Sequence, residues 1–208
     1  MSRARWAVLA GTVVLLPAGL GAQGGAGDSV VYVVSPASRL DVKTGKAGLF
    51  GFAGHAHLIR ARGFSGRIVY HPDAPTESRV EITVPADSLV VLTPPDTAEI
   101  RKVTQAMGTD VLRVEENPLI EFVTSGAAPT TEGMRVQGRL TLAGQTRDVE
   151  VDARTEIGPD TLRATGSFSV KQTDFGIKPF RGGPGGTVRV ADRVTFSFDL
   201  VAVRSAGP

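Results

Sequence analysis

A mostly β chain is predicted, an antiparallel sheet that closes on itself or doubles over, with one helical insertion. Three observations predict it. Roughly nine or ten short runs alternate apolar and polar residues at the strand spacing of two. One stretch, from Pro94 to Asn117, changes to a helical spacing. Neither a strand-helix-strand alternation nor a repeat of about 20–50 residues occurs, so parallel-sheet, solenoid and propeller folds are excluded. With 208 residues and 41% hydrophobic content, the chain can bury one core, and a single domain is expected.

The first residues differ from the rest. Arg3 and Arg5 precede an apolar run from Trp6 to Leu16, then Pro17, Gly19 and the small residues Gly21 and Ala22. This is the pattern of a secretory signal peptide over residues 1–22, cut after Ala22 or alternatively Ala26. Its apolar run is shorter than the roughly 20 residues that cross a bilayer, so no transmembrane segment is expected after its removal. A Gly-rich spacer covers residues 23–29, and the folded domain is expected over 30–204. Two of the 23 basic residues lie in the leader, leaving 21 against 21 acidic ones. That balance argues against nucleic acid as a partner, because such binding needs a basic patch. The chain has no cysteine, which excludes disulfides, thiolate chemistry and a lipid-modified cysteine.

Taken in order, Val30–Val34 and Arg39–Lys43 read as strands split at Ser35-Pro36. The aromatic and Gly-rich stretch from Ala47 to Tyr70 reads as two antiparallel strands joined near Arg60–Gly63. Val80, Ile82 and Val84 alternate with polar residues up to Pro85. Asp96 with Glu99 resembles a capping box, and Ile100, Val103 and Met107 share one helical face, suited to packing on the sheet. Asn117-Pro118 ends helical structure. Strands follow at Ile120–Thr124, Met134–Leu142 and Val149–Ala153, the last two joined by a turn at Ala143–Thr146. Leu162–Val170 and Val194–Leu200 complete the sheet, with the Gly-rich segment Arg181–Gly186 between them read as a hairpin tip.

His55 and His57 stand two apart, so in a regular strand both rings share a face and could chelate a metal with a third ligand. If residue 57 pairs with 66, His71 falls on the opposite face. That register puts the histidines beside Phe64 and Ile68 and turns Phe50 and Phe52 away; a shift of one residue reverses this, and a bulge at Gly51 or Gly54 satisfies both. Packing near a barrel mouth is the favoured reading of the histidines, with a metal site as the minor one. Asp174-Phe175-Gly176 lacks the context of a kinase motif, and the glycines after Arg181 lack the lysine of a phosphate-binding loop. No G-x-S-x-G nucleophile elbow occurs, and the protein is not expected to be an enzyme.

Several segments together resemble the YceI family of exported proteins. They are Gly54-His55 running to Gly63-Phe64-Ser65-Gly66, the stretch Glu116-Asn117-Pro118-Leu119-Ile120-Glu121-Phe122, the run from Val136 through Gly138-Arg139-Leu140 to Gly144-Gln145-Thr146, and Asp174-Phe175-Gly176-Ile177. The resemblance spans roughly Val30 to Val203. It implies an antiparallel lipocalin-like β-barrel of about eight strands with a helix at one end, and polyisoprenoids or related lipids as the ligand class.

On that footing the expected ligand-binding residues are Phe50, Phe52, His55, Phe64 and Ile68, with Phe122, Phe168, Phe175, Ile177 and Phe196 from later strands. Phe175 is expected to plug the barrel. The small residues Gly138, Ala164 and Gly166 either leave a channel or only relieve crowding. At roughly 0.8 kcal/mol per buried CH₂, ten carbons yield about 8 kcal/mol, which an association cost of roughly 4–15 kcal/mol can consume. An apolar tunnel therefore favours long chains. The expected function is an exported carrier of a polyisoprenoid, quinone or fatty-acid derivative, with no cofactor and with a homodimer left open. The alternatives are a stress or interaction module with a filled barrel and, less favoured, a metal-binding protein using His55 and His57.

Overall fold

The computed structural model describes residues 29–47, 56–93, 97–182 and 188–205. The leader, Phe50, Phe52, His55 and Asp96 lie outside the described residues. Twelve strand segments form one sheet: β1 (Val30–Val34), β2 (Arg39–Ala47), β3 (Leu58–Ala61), β4 (Ser65–Tyr70), β5 (Arg79–Pro85), β6 (Leu89–Val91), β7 (Leu119–Thr130), β8 (Gly133–Leu142), β9 (Gln145–Ile157), β10 (Thr161–Lys171), β11 (Arg181–Gly182) and β12 (Val188–Arg204). They build eight staves, because β1 with β2, β3 with β4 and β5 with β6 are each one path with a corner in it. Each stave is antiparallel to the next in sequence. The ring closes where β12 pairs with both β1 and β2, so the sheet is an eight-stranded antiparallel barrel.

Alternation along the staves sets the inside. Tyr32, Val34, Ile68, Ile82, Leu140, Val151, Leu162 and Leu200 are buried while their sequence neighbours face outward, as a period of two requires. Outside, opposite charges face each other across neighbouring staves. Arg60 donates to both oxygens of Asp41 at 2.6 and 2.7 Å, and Arg163 does the same to Asp199 at 2.9 and 2.8 Å.

Two interruptions of the ladder are closed by hydroxyls. At the corner between β1 and β2, Ser38 Oγ accepts from Val201 N at 2.9 Å and donates to Val201 O at 3.1 Å. Where the β7–β8 register shifts after Thr124, Thr124 Oγ1 accepts from Val80 N at 3.0 Å and donates to Val80 O at 3.2 Å. Each side chain replaces the backbone partner that an irregular strand cannot supply.

The strand pair expected within Ala47–Tyr70 is corrected. β3 pairs with β2 and β6, β4 pairs with β1 and β5, and residues 57 and 66 are not partners. Arg62–Phe64 is a corner inside one stave rather than a reversal. It is held against the corner of the next stave, since Arg62 N donates to Ser88 O at 3.0 Å and Ser88 Oγ donates to Gly63 O at 2.9 Å. Gly63 serves that close approach: a Cβ there would lie 3.3 Å from Ser88 Cβ. The three-residue strand β6 was not foreseen, and β7 runs on past Thr124 to Thr130.

The helical insertion forms as its period predicts. Helix α1 (Thr97–Ala106) continues into a π turn, Met107–Leu112, capped by Arg113 in the left-handed region at φ 50°. Asn117 Nδ2 donates to the Leu112 and Arg113 carbonyls at 3.2 and 3.3 Å, satisfying the helix end. Ile100, Val103 and Met107 pack on the core. β5 pairs with β7 but β6 does not, and α1 follows that free edge, with Val91 N donating to Thr104 Oγ1 at 3.3 Å. Among the described residues no helix is long and apolar enough to cross a membrane.

Candidate functional site

The barrel retains a cavity of about 410 Å³ between its walls, within the roughly 300–1,000 Å³ of small-molecule pockets. It extends from Met107, Val111 and Leu112 of the helical insertion, past Phe122 and Leu140, to Pro129, Met134 and Ile157 at the other rim. Ile157 lines the cavity and is nevertheless 45% exposed, which places an opening at that rim.

The wall is almost wholly apolar, and several of its few polar groups are already used. Thr124 closes the ladder beside Val80, Thr44 Oγ1 accepts from His57 N at 3.0 Å, and Gln172 Nε2 donates to Ala191 O at 2.8 Å. No buried side-chain polar atom among the described residues lacks a partner. The interior therefore offers an entering molecule dispersion and burial rather than hydrogen bonds.

Of the residues singled out in the sequence, Ile68, Phe122, Phe168, Ile177 and Phe196 meet at this cavity. Phe168 and Phe196 stack with centroids 5.0 Å apart and planes 8° from parallel. Phe64 packs on the core without lining the cavity. Phe175, only 1% exposed, lies in the wall and borders a second, outer cleft. Phe50, Phe52 and His55 fall outside the described residues.

His57 Nδ1 lies 2.8 Å from the Thr93 carbonyl. A carbonyl only accepts, so Nδ1 is the donor of this bond. His71 follows β4, whereas His57 precedes β3, so they stand at opposite ends of one stave; this, rather than a facing-strand register, separates them. No three His, Cys, Asp or Glu side chains come together as a metal site among the described residues.

Of the two readings of the small residues, the glycines follow the second, relief of crowding. The Phe122 ring occupies the space over Gly138, and a Cβ at Gly166 would lie 2.6 Å from Phe198 Cζ. Both make room for rings, while Ala164 does line the cavity. The sequence reading also missed Leu40 and Val42 of β2 and the helical contribution of Val111 and Leu112. The stripe Ile100, Val103, Met107 pointed toward the latter, because its continuation reaches them.

Charge placement near the outer cleft comes from one latch. Asp192 accepts from Thr173 N at 2.9 Å and from Thr173 Oγ1 at 2.8 Å. These bonds, the backbone one first, hold its carboxyl below the ordinary aspartate range. The latch ties the 3-10 turn Gln172–Phe175 to the start of β12, and so fixes Phe175.

A model of the YceI-like domain family matches residues 36–202. The chain belongs to this family. A UPF0312 protein of Pseudomonas aeruginosa is 27% identical over 164 residues, covering 72% of this chain and 83% of that protein. A UPF0312 protein of Pseudomonas paraeruginosa is 25% identical over the same length and coverage. Among solved structures, Burkholderia cenocepacia BcnA superposes with a TM-score of 0.64 at 21% identity, covering 81% of this chain and 98% of that one. A polyisoprenoid binding domain from Saccharophagus degradans, implicated in plant cell wall breakdown, gives 0.57 at 11% identity, covering 86% and 100%. These likenesses show that the YceI-like barrel is shared.

Proposed function

We propose that the protein is an exported, non-catalytic carrier that holds a long apolar chain, such as a polyisoprenoid, quinone tail or fatty-acid derivative, inside its barrel. The observation that carries this reading is the cavity of about 410 Å³ whose walls are apolar along the length of the barrel and whose buried polar side chains are internally paired. A tube of that kind selects length, because each additional buried CH₂ adds roughly 0.8 kcal/mol while the association cost is met once. The Saccharophagus degradans domain, with the same fold, is described as polyisoprenoid binding, which supports the ligand class. Export is supported by the leader pattern at residues 1–22.

Native mass spectrometry of protein purified from an expressing cell, followed by solvent extraction, tests the reading. The expected result is a population heavier by one long-chain lipid that is lost on extraction. A protein that emerges empty and then fails to take up a long-chain isoprenol in delipidated form would sink it.

A further inference from the structure

The barrel wall is incomplete between β9 and β10. Their ladder runs from Ile157↔Leu162 to Asp152↔Ser167 and stops, although β9 continues back to Gln145 and β10 on to Lys171. The space left by the diverging ends is an open outer cleft of about 720 Å³, and Phe175 seals its floor. Phe168 borders both this cleft and the apolar cavity. Phe168 thus stands between a charged space outside and an apolar space inside.

The charges in the cleft are arranged unusually. Lys171 of β10 and Arg193 of β12 are direct register partners, and like charges directly opposite across a ladder are destabilising. Among the described residues neither side chain makes an ion pair or hydrogen bond. The nearby Asp192, whose pKa Lys171 helps to lower, is already engaged by Thr173. Arg147, at the β9 edge of the cleft, is itself occupied, donating to the adjoining Thr146 carbonyl at 2.7 Å. Three carboxylates also line the cleft: Glu150, which pairs with Arg135 at 3.4 Å, Asp148, the register partner of Arg139, and Asp174 of the 3-10 turn. At the Ile157 rim, by contrast, the cations are occupied. Arg154 pairs with Glu132, and Arg79 donates to the carbonyls of Glu77 and Ser78.

We propose that Lys171 and Arg193 form a site for the anionic head group, phosphate or carboxylate, of an amphiphile whose tail passes Phe168 into the cavity. The proposal rests on the lipid-carrier reading and deepens it. An anion between Lys171 and Arg193 relieves their repulsion and receives charge-assisted hydrogen bonds from both.

Calorimetric titration of the delipidated protein with farnesyl monophosphate, farnesol and inorganic phosphate tests this. The expected result is that the monophosphate binds at least about tenfold more tightly than farnesol, the scale of one charge-assisted hydrogen bond. In the Lys171→Ala, Arg193→Ala double variant that ratio falls to about one. The exchange Lys171→Arg, Arg193→Lys keeps the ratio, which separates loss of charge from loss of folding. Equal binding of the two lipids to the natural sequence, or a ratio that survives the double alanine variant, overturns the head-group site and leaves the carrier reading standing. Inorganic phosphate that competes as well as farnesyl monophosphate overturns it too, by showing a free-anion site without a tail. If neither lipid binds, the carrier reading fails and the head-group site with it.

Discussion

The barrel wall is interrupted near Ser38 and again between β9 and β10, and the two gaps are closed in different ways. At the first, the Ser38 hydroxyl both accepts from and donates to Val201, so a missing rung of the ladder is replaced by a polar one. At the second, the strands diverge and Phe175 fills the space. A hydroxyl stitch fixes direction and register. A ring excludes water but sets no register, so the strands on either side are not tied to each other. One gap therefore behaves as wall and the other as a place where the wall can carry a site.

The sharpest way to break this contrast is Phe175→Ala. It removes a fully buried ring from the seam and is expected to cost about 3–5 kcal/mol, read as a lowered urea midpoint. A loss under about 1 kcal/mol would mean that the seam collapses without its plug. Ser38→Ala comes next, at about 1–3 kcal/mol, because it leaves the Val201 N–H without a partner, while the Val201 carbonyl keeps only its bond from Ser35 N at 2.8 Å. Amide exchange at Val201 should accelerate in that variant, while exchange across β9 and β10 stays unchanged.

The smallest effect concerns the latch that holds the plug. The carboxyl of Asp192 is held below the ordinary aspartate range by its bonds from Thr173. A depressed folded value means that its contribution is present above the unfolded pKa of about 3.9 and is lost as pH falls through the folded value. Since the group is solvent-accessible, that contribution is discounted to under about 1 kcal/mol. Protection of the Thr173 amide, corrected for intrinsic exchange, should fall in acid below about pH 4. Asp192→Asn should remove that acid step; an unchanged step would assign it to another carboxylate.

The same contrast marks how far the sequence could be read. Alternation in Leu162, Ala164, Gly166, Phe168 and Val170 correctly gives a strand with one inner face. It gives the same signal whether the far edge is paired, as for Leu162, or open, as for Phe168, because periodicity reports faces and not edges. The helical insertion was legible from Ile100, Val103 and Met107, whose spacing has no strand reading. Gly63 misled, since a glycine needed for close approach of two corners looks in sequence like a glycine needed for a turn. Gly138 and Gly166 left two readings open, a channel or relief of crowding, and the second holds. Absence of a side chain was visible, but the Phe122 and Phe198 rings that occupy the space belong to other strands.

The meeting of β1 with β12 also bears on how the molecule is assembled in time. Seven of the eight staves find a partner in the stave just before them, within a short stretch of chain. The outer edge of the first has to wait. Tyr32 faces Arg204, and Ser205 N donates to Val31 O at 2.8 Å, so the last strand to be synthesised closes the ring against the first. Until then the outer edge of β1 and the apolar lumen are both uncovered, which is the interval in which such a chain is exposed to aggregation. Circular closure thus makes β12 the committing step of folding, and removal of the whole strand from Val188 onward, which takes away its pairing with both β1 and β2, should leave an open, sticky sheet rather than a smaller barrel.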